Sequence, residues 1–458
     1  MSFLPNWGFR ATVTATHHPK PVRINFNSDD ETTEGTNSIT LEKFVTTNIP
    51  SLANGSKHYL KPWLFNGVLQ TMHTFKSDFS KEYVVHFGRR LVDVSEEYIE
   101  AHPEYTDLPP GQFTIDYVVD LPESEKDSKI FKKRYDETLP EGNPRLYPRC
   151  RFYDDDEMQQ EFEKWGSDNK PIVIIVPGLA GGIQEAPIRA VCHELQSKGI
   201  HVLVLNSRGS SRSKITTPYL FNGLHTDDLK YVVTHLKAKF QNKKIHLVGF
   251  SFGGLIISNY LAFEGDNSSV QSAVTVSAPW DLVESSVHLL NSWSGLYLFA
   301  PFVKYFLLNL VKNNISNVAD PFFTKENYDN CKKLVKRPID FDDLHTCKLA
   351  GFPSAKSYYY AASPATRIFK IKTPMLVLNT DDDPMVSTDW PVFEVANHPY
   401  IYMATTDLGG HYSSVGFDGF LWRNWVSKWV ENWDNVSSVE DDGWNVRQEF
   451  YKDRVDMY

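Results

Sequence analysis

Residues Val248-Gly249-Phe250-Ser251-Phe252-Gly253-Gly254 decide the reading of this chain, because they place a serine where chemistry can use it. Ile245, His246, Leu247, Val248 and Gly249 read as an apolar strand, and the small and aliphatic run Gly253–Leu261 reads as a buried helix. G-x-S-x-G between a strand and a helix is the signature of a nucleophile elbow, a turn tight enough to strain the serine. Gly249 and Gly253 leave room for the neighbouring backbone. The Ser251 hydroxyl then projects from the sheet with the positive end of the following helix beneath it. A chance G-x-S-x-G in a loop is the competing reading, and the strand and helix on either side argue against it.

A serine hydroxyl is a poor nucleophile at neutral pH, so it needs a base, and the base needs an orienting carboxylate. Behind an elbow of this kind the chain order is serine, acid, histidine. The acid is expected in Asn379-Thr380-Asp381-Asp382-Asp383-Pro384, after an apolar strand. Asp383 is favoured because the apolar Val386 lies three positions later; Asp382 remains the alternative, and Asp381 reads as a solvated turn residue. The base is His411, which Gly409-Gly410 allows a loop to carry across to Ser251. The Gly-rich Pro177-Gly178-Leu179-Ala180-Gly181-Gly182 follows another strand and is suited to an oxyanion hole, with the amides of Leu179 and Phe252 as donors. It lacks the Lys-Ser/Thr or G-x-G-x-x-G of a phosphate cradle. Neither a metal nor a redox cofactor is called for.

Around these motifs strands and helices alternate from Pro171: strands Ile172–Val176, His201–Asn206, Ile245–Phe250 and Ser272–Ser277, helices near 185–197 and 227–240. Two antiparallel strands are expected earlier, within 83–94 and 113–119, and 120–147 reads as a charged surface excursion. The alternation predicts an α/β fold, a doubly wound and mostly parallel sheet. It breaks at about 280–369, a helical, aromatic-rich stretch expected to be a cap inserted after the sixth strand, and resumes with strands at 374–379 and 400–405 and a helix at 420–433. The expected organisation is an N-terminal extension (1–60), one catalytic domain (61–433) and an acidic tail (434–458).

Composition bounds the function. Of 458 residues 41% are hydrophobic and 23% charged, as in a globular protein, and aromatics reach 14%. A net charge of −10 with no basic patch argues against nucleic acid. Cys150, Cys192, Cys331 and Cys347 have neither metal-ligand spacing nor the number for a disulfide framework, so a reduced, cytoplasmic setting is expected. Phe3, Leu4, Pro5, Trp7 and Phe9 form no continuous apolar signal segment; a disordered tail is expected there, with a mitochondrial targeting segment as the alternative. The apolar run from Gly295 to Val311, interrupted by Pro301, Lys304 and Asn309, reads as a lid or membrane-surface helix rather than a transmembrane one. Arg208 and Arg212 are read either as anion ligands or, more commonly for such arginines, as structural ion pairs.

These segments together resemble the type-4 family of the AB-hydrolase superfamily, and within it the yeast medium-chain fatty-acid ethyl-ester synthase/esterases. The resemblance runs from about Leu60 to Trp433. It rests on Phe65–Thr71, Asp78–Lys81, Pro144–Arg149, Gly178–Gly182, Asn206–Gly209, Leu224–Thr226, the serine elbow, Pro279–Asp281, Asp382–Pro384 and Thr406–His411. Two departures stand out: Pro177 precedes Gly178 where the family usually has histidine, and Asp381 is an additional aspartate in the acid turn. The resemblance implies the α/β-hydrolase fold and a serine esterase or acyltransferase. It implies substrates such as a medium-chain acyl ester or acyl-CoA, with water or a short alcohol such as ethanol as acceptor. It also implies contact with lipid droplets or the mitochondrial outer surface. A membrane-surface lipase or phospholipase of the same fold is the alternative.

Overall fold

The computed structural model describes residues 7–27, 38–102, 108–315 and 317–441. Phe3, Leu4, Pro5, residues 28–37 of the expected N-terminal extension, and the tail beyond 441 lie outside the described residues.

The central sheet has eleven strands: β1 (Arg10–His17), β2 (Lys57–Tyr59), β3 (His86–Val94), β4 (Gly111–Val119), β5 (Cys150–Phe152), β6 (Ile172–Val176), β7 (His201–Asn206), β8 (Ile245–Phe250), β9 (Ser272–Val276), β10 (Met375–Thr380) and β11 (Ile401–Thr406). Their order across the sheet is β2-β1-β11-β10-β9-β8-β6-β7-β4-β3-β5. The run β11 to β7 is parallel throughout. Antiparallel strands flank it: β1 pairs with β11, and β4 with both β7 and β3.

These strands form because their side chains have two apolar destinations. In β6 every residue is buried; Val173 and Ile175 enter one layer, and Ile172, Ile174 and Val176 the other. Such a strand reads as a continuous apolar run, the pattern of a sheet covered on both faces. Helices Ala186–Ser197 and Leu421–Glu431, the latter carrying buried Trp422, Trp425 and Trp429, cover the first face. Helices Asp227–Lys239 and Phe252–Glu264 cover the second.

The N-terminal sixty residues differ from the expected extension. Ala11 and Val13 are buried in β1, an integral strand of the sheet, and β2 forms its edge. At the other end, Val436–Glu440 pairs with Arg23–Phe26, which also pairs with Ser38–Thr40. The apolar residues of 10–26 alternate too briefly to stand out in a sequence, whereas the partner strand that buries them is nearly four hundred residues away. The cap lies between β9 and β10, as expected, although the short strands of the N-terminal third make β9 the ninth strand of the sheet rather than the sixth.

Candidate active site

Ser251 lies between β8 and helix Phe252–Glu264 with φ 49° and ψ −119°, a conformation that a non-glycine residue adopts only under strain. Two close approaches sustain it. A side chain at Gly253 would meet the Val176 carbonyl oxygen at 2.0 Å, and one at Gly249 would meet the Gly254 α-carbon at 2.6 Å. The glycines of the elbow are therefore steric requirements of strand–helix contact.

The three distant side chains meet. His411 Nε2 stands 2.9 Å from Ser251 Oγ, and His411 Nδ1 is 2.7 Å from Asp383 Oδ2. Asp383 and His411 are 2% and 1% exposed, so their hydrogen bond is shielded from water. The other carboxylate oxygen of Asp383 accepts the amides of Met385 (2.8 Å) and Val386 (3.1 Å), which fixes the rotamer.

The neighbouring aspartates do other work. Asp382 Oδ1 accepts the Gly410 amide at 2.8 Å, holding the histidine loop, while its Oδ2 is buried without a hydrogen-bond partner among the described residues. Burial pushes the Asp382 carboxyl up to about 7, a value consistent with an orphan oxygen that carries a proton. Asp381 is exposed and accepts the Trp390 indole N–H.

Leu179 and Phe252 border Ser251 in the same cavity wall, and Gly178 packs so closely that an added β-carbon would touch that of Ser251 at 3.4 Å. Neither the Leu179 nor the Phe252 amide donates to a protein acceptor among the described residues. Both donors thus remain available for a developing oxyanion.

Sequence patterns gave no role to helix Gly67–Lys76, which braces the site. Thr71 Oγ1 accepts the His411 amide (2.9 Å) and donates to the Gly67 carbonyl (2.7 Å). A β-carbon at Gly67 would lie 1.9 Å from the Asp382 carbonyl oxygen, so only glycine lets this helix reach the acid turn. Ser277, after β9, accepts the Tyr412 amide through its hydroxyl (2.8 Å). The Phe65–Thr71 block carried this information as a motif, but nothing in its composition identifies a brace. Arg208 is structural, pairing with Asp228 at 2.8 Å and donating to the carbonyls of Pro109 and Pro110. Arg212 binds the Arg145 and Leu146 carbonyls and lies over the Tyr147 ring.

Two cavities meet at Ser251 and His411. One, about 170 Å³, runs beneath the cap between Phe252, Leu282, Leu289, Leu307, Leu310 and Phe341. The other, about 600 Å³, is bordered by Phe75, Tyr147, Arg149, Gln184, Glu185 and Arg189. Val303 and Met385 stand at the junction.

A strained serine hydrogen-bonded to a buried histidine–aspartate pair, at the C-terminal rim of a parallel sheet, defines a class of enzymes. The chain belongs to the α/β-hydrolase family: residues 171–391 match the alpha/beta hydrolase fold model, and the protein is a hydrolase. It is 34% identical over 436 residues (91% of this chain, 93% of the relative) to Medium-chain fatty acid ethyl ester synthase/esterase 2 of Saccharomyces cerevisiae. It is 32% identical over 389 residues (85% and 83%) to Monoacylglycerol lipase of the same organism. The solved esterase Pf2001 of Pyrococcus furiosus aligns over 78% of this chain and 96% of its own, at 14% identity and a TM-score of 0.41.

Proposed function

We propose that this hydrolase is a serine esterase and acyltransferase for medium-chain acyl groups, using Ser251, His411 and Asp383 as its triad and the Leu179 and Phe252 amides as its oxyanion hole. The observation that carries this is the unbroken hydrogen-bonded line from Ser251 Oγ through His411 to Asp383 Oδ2. His411 Nε2 takes the serine proton as Oγ attacks an ester or thioester carbonyl, and Asp383 steadies the imidazolium that forms. The imidazolium returns the proton to the leaving group as the C–O or C–S bond breaks. Water or a short alcohol such as ethanol, deprotonated by the same histidine, then releases the acyl chain. No metal or redox step is required.

The apolar cavity supports the chain-length assignment. Its volume of about 170 Å³ slightly exceeds the roughly 150 Å³ that accommodates one benzene, a six-carbon ligand. The similarity to an ethyl ester synthase/esterase supports the same substrate class. Product analysis with acyl-CoA and ethyl esters of four to sixteen carbons, with and without ethanol, tests it. Turnover peaking at medium chains, with ethyl esters formed when ethanol is present, is expected; turnover of phospholipid alone would overturn it.

A second reading, a lipase working at a lipid surface, is favoured by the outer face of the cap. Trp293 and Tyr297 are 70% and 63% exposed, and Tyr305, further along the same segment, is exposed too. Gly295–Asn313 is long and apolar enough to cross a membrane by length and composition, but a third of it is buried against the protein. Amphipathic aromatic side chains favour the membrane–water boundary. We infer a cytoplasmic enzyme that touches lipid droplets or the mitochondrial outer surface through this face.

A further inference from the structure

The larger cavity at Ser251 contains two cations with no counter-ion among the described residues. Arg189 is 6% exposed; its Nε donates to the Ile183 carbonyl (2.8 Å) and its Nη2 to the Pro148 carbonyl (3.3 Å), while Nη1 is buried with no partner among the described residues. Arg149, half-buried across the cavity, donates to the Ser80 carbonyl (2.7 Å). Neither guanidinium has an ion pair among the described residues, although most of the buried arginines elsewhere in this protein do: Arg89 with Asp116, Arg151 with Glu157, Arg208 with Asp228.

Arginine does not escape such a site by losing its proton, so an unpaired one keeps its charge and a strong need for an acceptor. The acids facing the cavity do not meet that need. Asp78 is at the exposed rim, with its carboxylate on the Ser80 amide. Glu185, at the N-cap of the helix that carries Arg189, is pushed up to about 7 by burial, which leaves it partly protonated near neutrality, and no ion pair joins it to Arg189 among the described residues. The cavity is thus a cationic recess opening directly onto the nucleophile.

We propose that this recess, resting on Ser251 as the nucleophile, is the leaving-group subsite for acyl donors whose leaving group carries a phosphate, with Arg189 and Arg149 as the phosphate ligands. The acyl chain lies beneath the cap and the phosphorylated portion on the opposite side of Ser251. The phosphate stays intact: the bond that forms is Ser251 Oγ to acyl carbon, the bond that breaks joins that carbon to the leaving oxygen or sulfur, and His411 supplies its proton. Guanidinium forks suit phosphate oxygens, and the pairing strengthens where water is excluded. Two donors share this chemistry, a glycerophospholipid and an acyl-CoA.

The test uses the two leaving groups themselves, glycerol-3-phosphocholine and CoA, titrated calorimetrically into the full chain and added as inhibitors of ethyl hexanoate hydrolysis. At least one is expected to bind and to inhibit competitively, and the one that does identifies the donor. Arg189→Gln and Arg149→Gln are each expected to weaken that binding at least tenfold, and to lower the ratio of kcat/KM for the phosphorylated donor to that for ethyl hexanoate by a similar factor. If neither probe binds at millimolar concentration, or folded variants bind as tightly as the parent, the proposal is overturned. Should Arg189→Gln fail to fold, Arg149→Gln decides, since that side chain is half-buried and makes one hydrogen bond. Failure of the triad reading is seen separately: Ser251 would then not react with a fluorophosphonate, whereas the calorimetric binding needs no turnover.

Discussion

The rim of the sheet and the cap above it solve opposite problems. At the rim, the serine elbow, the acid turn, the histidine loop and helix Gly67–Lys76 converge on one hydrogen-bonded line, and the acid and the histidine each have a second partner: Asp383 two amides, His411 Thr71, and the His411 loop Asp382. The cap has looser geometry. It contains two π-helical turns, Gly295–Phe299 and Asp342–Thr346, and presents aromatic side chains to its surroundings. Such turns are rare and cluster at functional sites. In the proposed reaction the rim has to keep Ser251, His411 and Asp383 in hydrogen-bonded line, whereas the cap only has to enclose a chain. Chemistry should therefore be brittle to substitution at the rim, and selectivity soft to substitution in the cap.

The sharpest way to break that contrast compares adjacent aspartates. Asp383→Asn is expected to lower kcat for ethyl hexanoate hydrolysis roughly 10⁴-fold, because the imidazole loses both its tautomer and the charge that stabilises the imidazolium. Ser251→Ala should cost at least as much and abolish fluorophosphonate labelling. Asp382→Asn keeps the acceptor for the Gly410 amide and should stay within tenfold of the parent. Steady-state kinetics decide; an equal loss at both aspartates would mean that the acid is misassigned.

A cap substitution should change which ester is used rather than how fast the best one reacts. Leu307 is buried and lines the apolar cavity. Leu307→Ala opens room for about two further methylenes, each contributing about 0.8 kcal/mol when buried. The kcat/KM ratio of decanoyl to hexanoyl ethyl ester is expected to rise about tenfold, with a stability loss of about 2–5 kcal/mol. An unchanged ratio would place the acyl chain elsewhere.

The same contrast governs what the sequence disclosed. The parallel strands were legible because continuous apolar runs such as Ile172–Val176 are buried on both faces, and the elbow because its glycines answer local steric demands. Ser251, His411 and the competing aspartates could be named from motif and chain order. Choosing between Asp382 and Asp383 needed coordinates, because it depends on which carboxylate faces Nδ1. Strand β1 and the brace from Thr71 escaped notice, since each derives its role from a partner more than three hundred residues away. The unpaired arginines could not be seen either: Arg189 differs from the ion-paired Arg208 only in what surrounds it.

A finer test concerns the pH dependence that the rim stores. Asp382 has its folded value raised to about 7, above the ordinary 3.8, so between about pH 4 and pH 7 the folded state holds a proton that the unfolded chain releases. The stability this group contributes is complete below pH 4 and is lost as pH rises through 7. Asparagine mimics the protonated acid, so Asp382→Asn should show a smaller fall in Tm between pH 5 and pH 7.5 than the parent. Glu185, raised in the same direction, retains its own share in both proteins. Thermal melts at the two pH values measure the difference, and equal slopes would mean that Asp382 ionises normally.

The smallest effect is expected at the outer surface of the cap, where no reacting group is involved. Trp293 and Tyr297 have rings 6.0 Å apart and are largely exposed, so replacing them removes little packing. If that face sits in a lipid boundary, Trp293→Ser with Tyr297→Ser removes apolar area that only a bilayer or droplet would cover. Sedimentation with phosphatidylcholine vesicles should show partitioning reduced severalfold, with Tm nearly unchanged. Equal partitioning of parent and variant would confine the role of these aromatics to the cap itself. The contrast would then have to be redrawn, because the cap would owe its exposed rings to something other than a lipid surface.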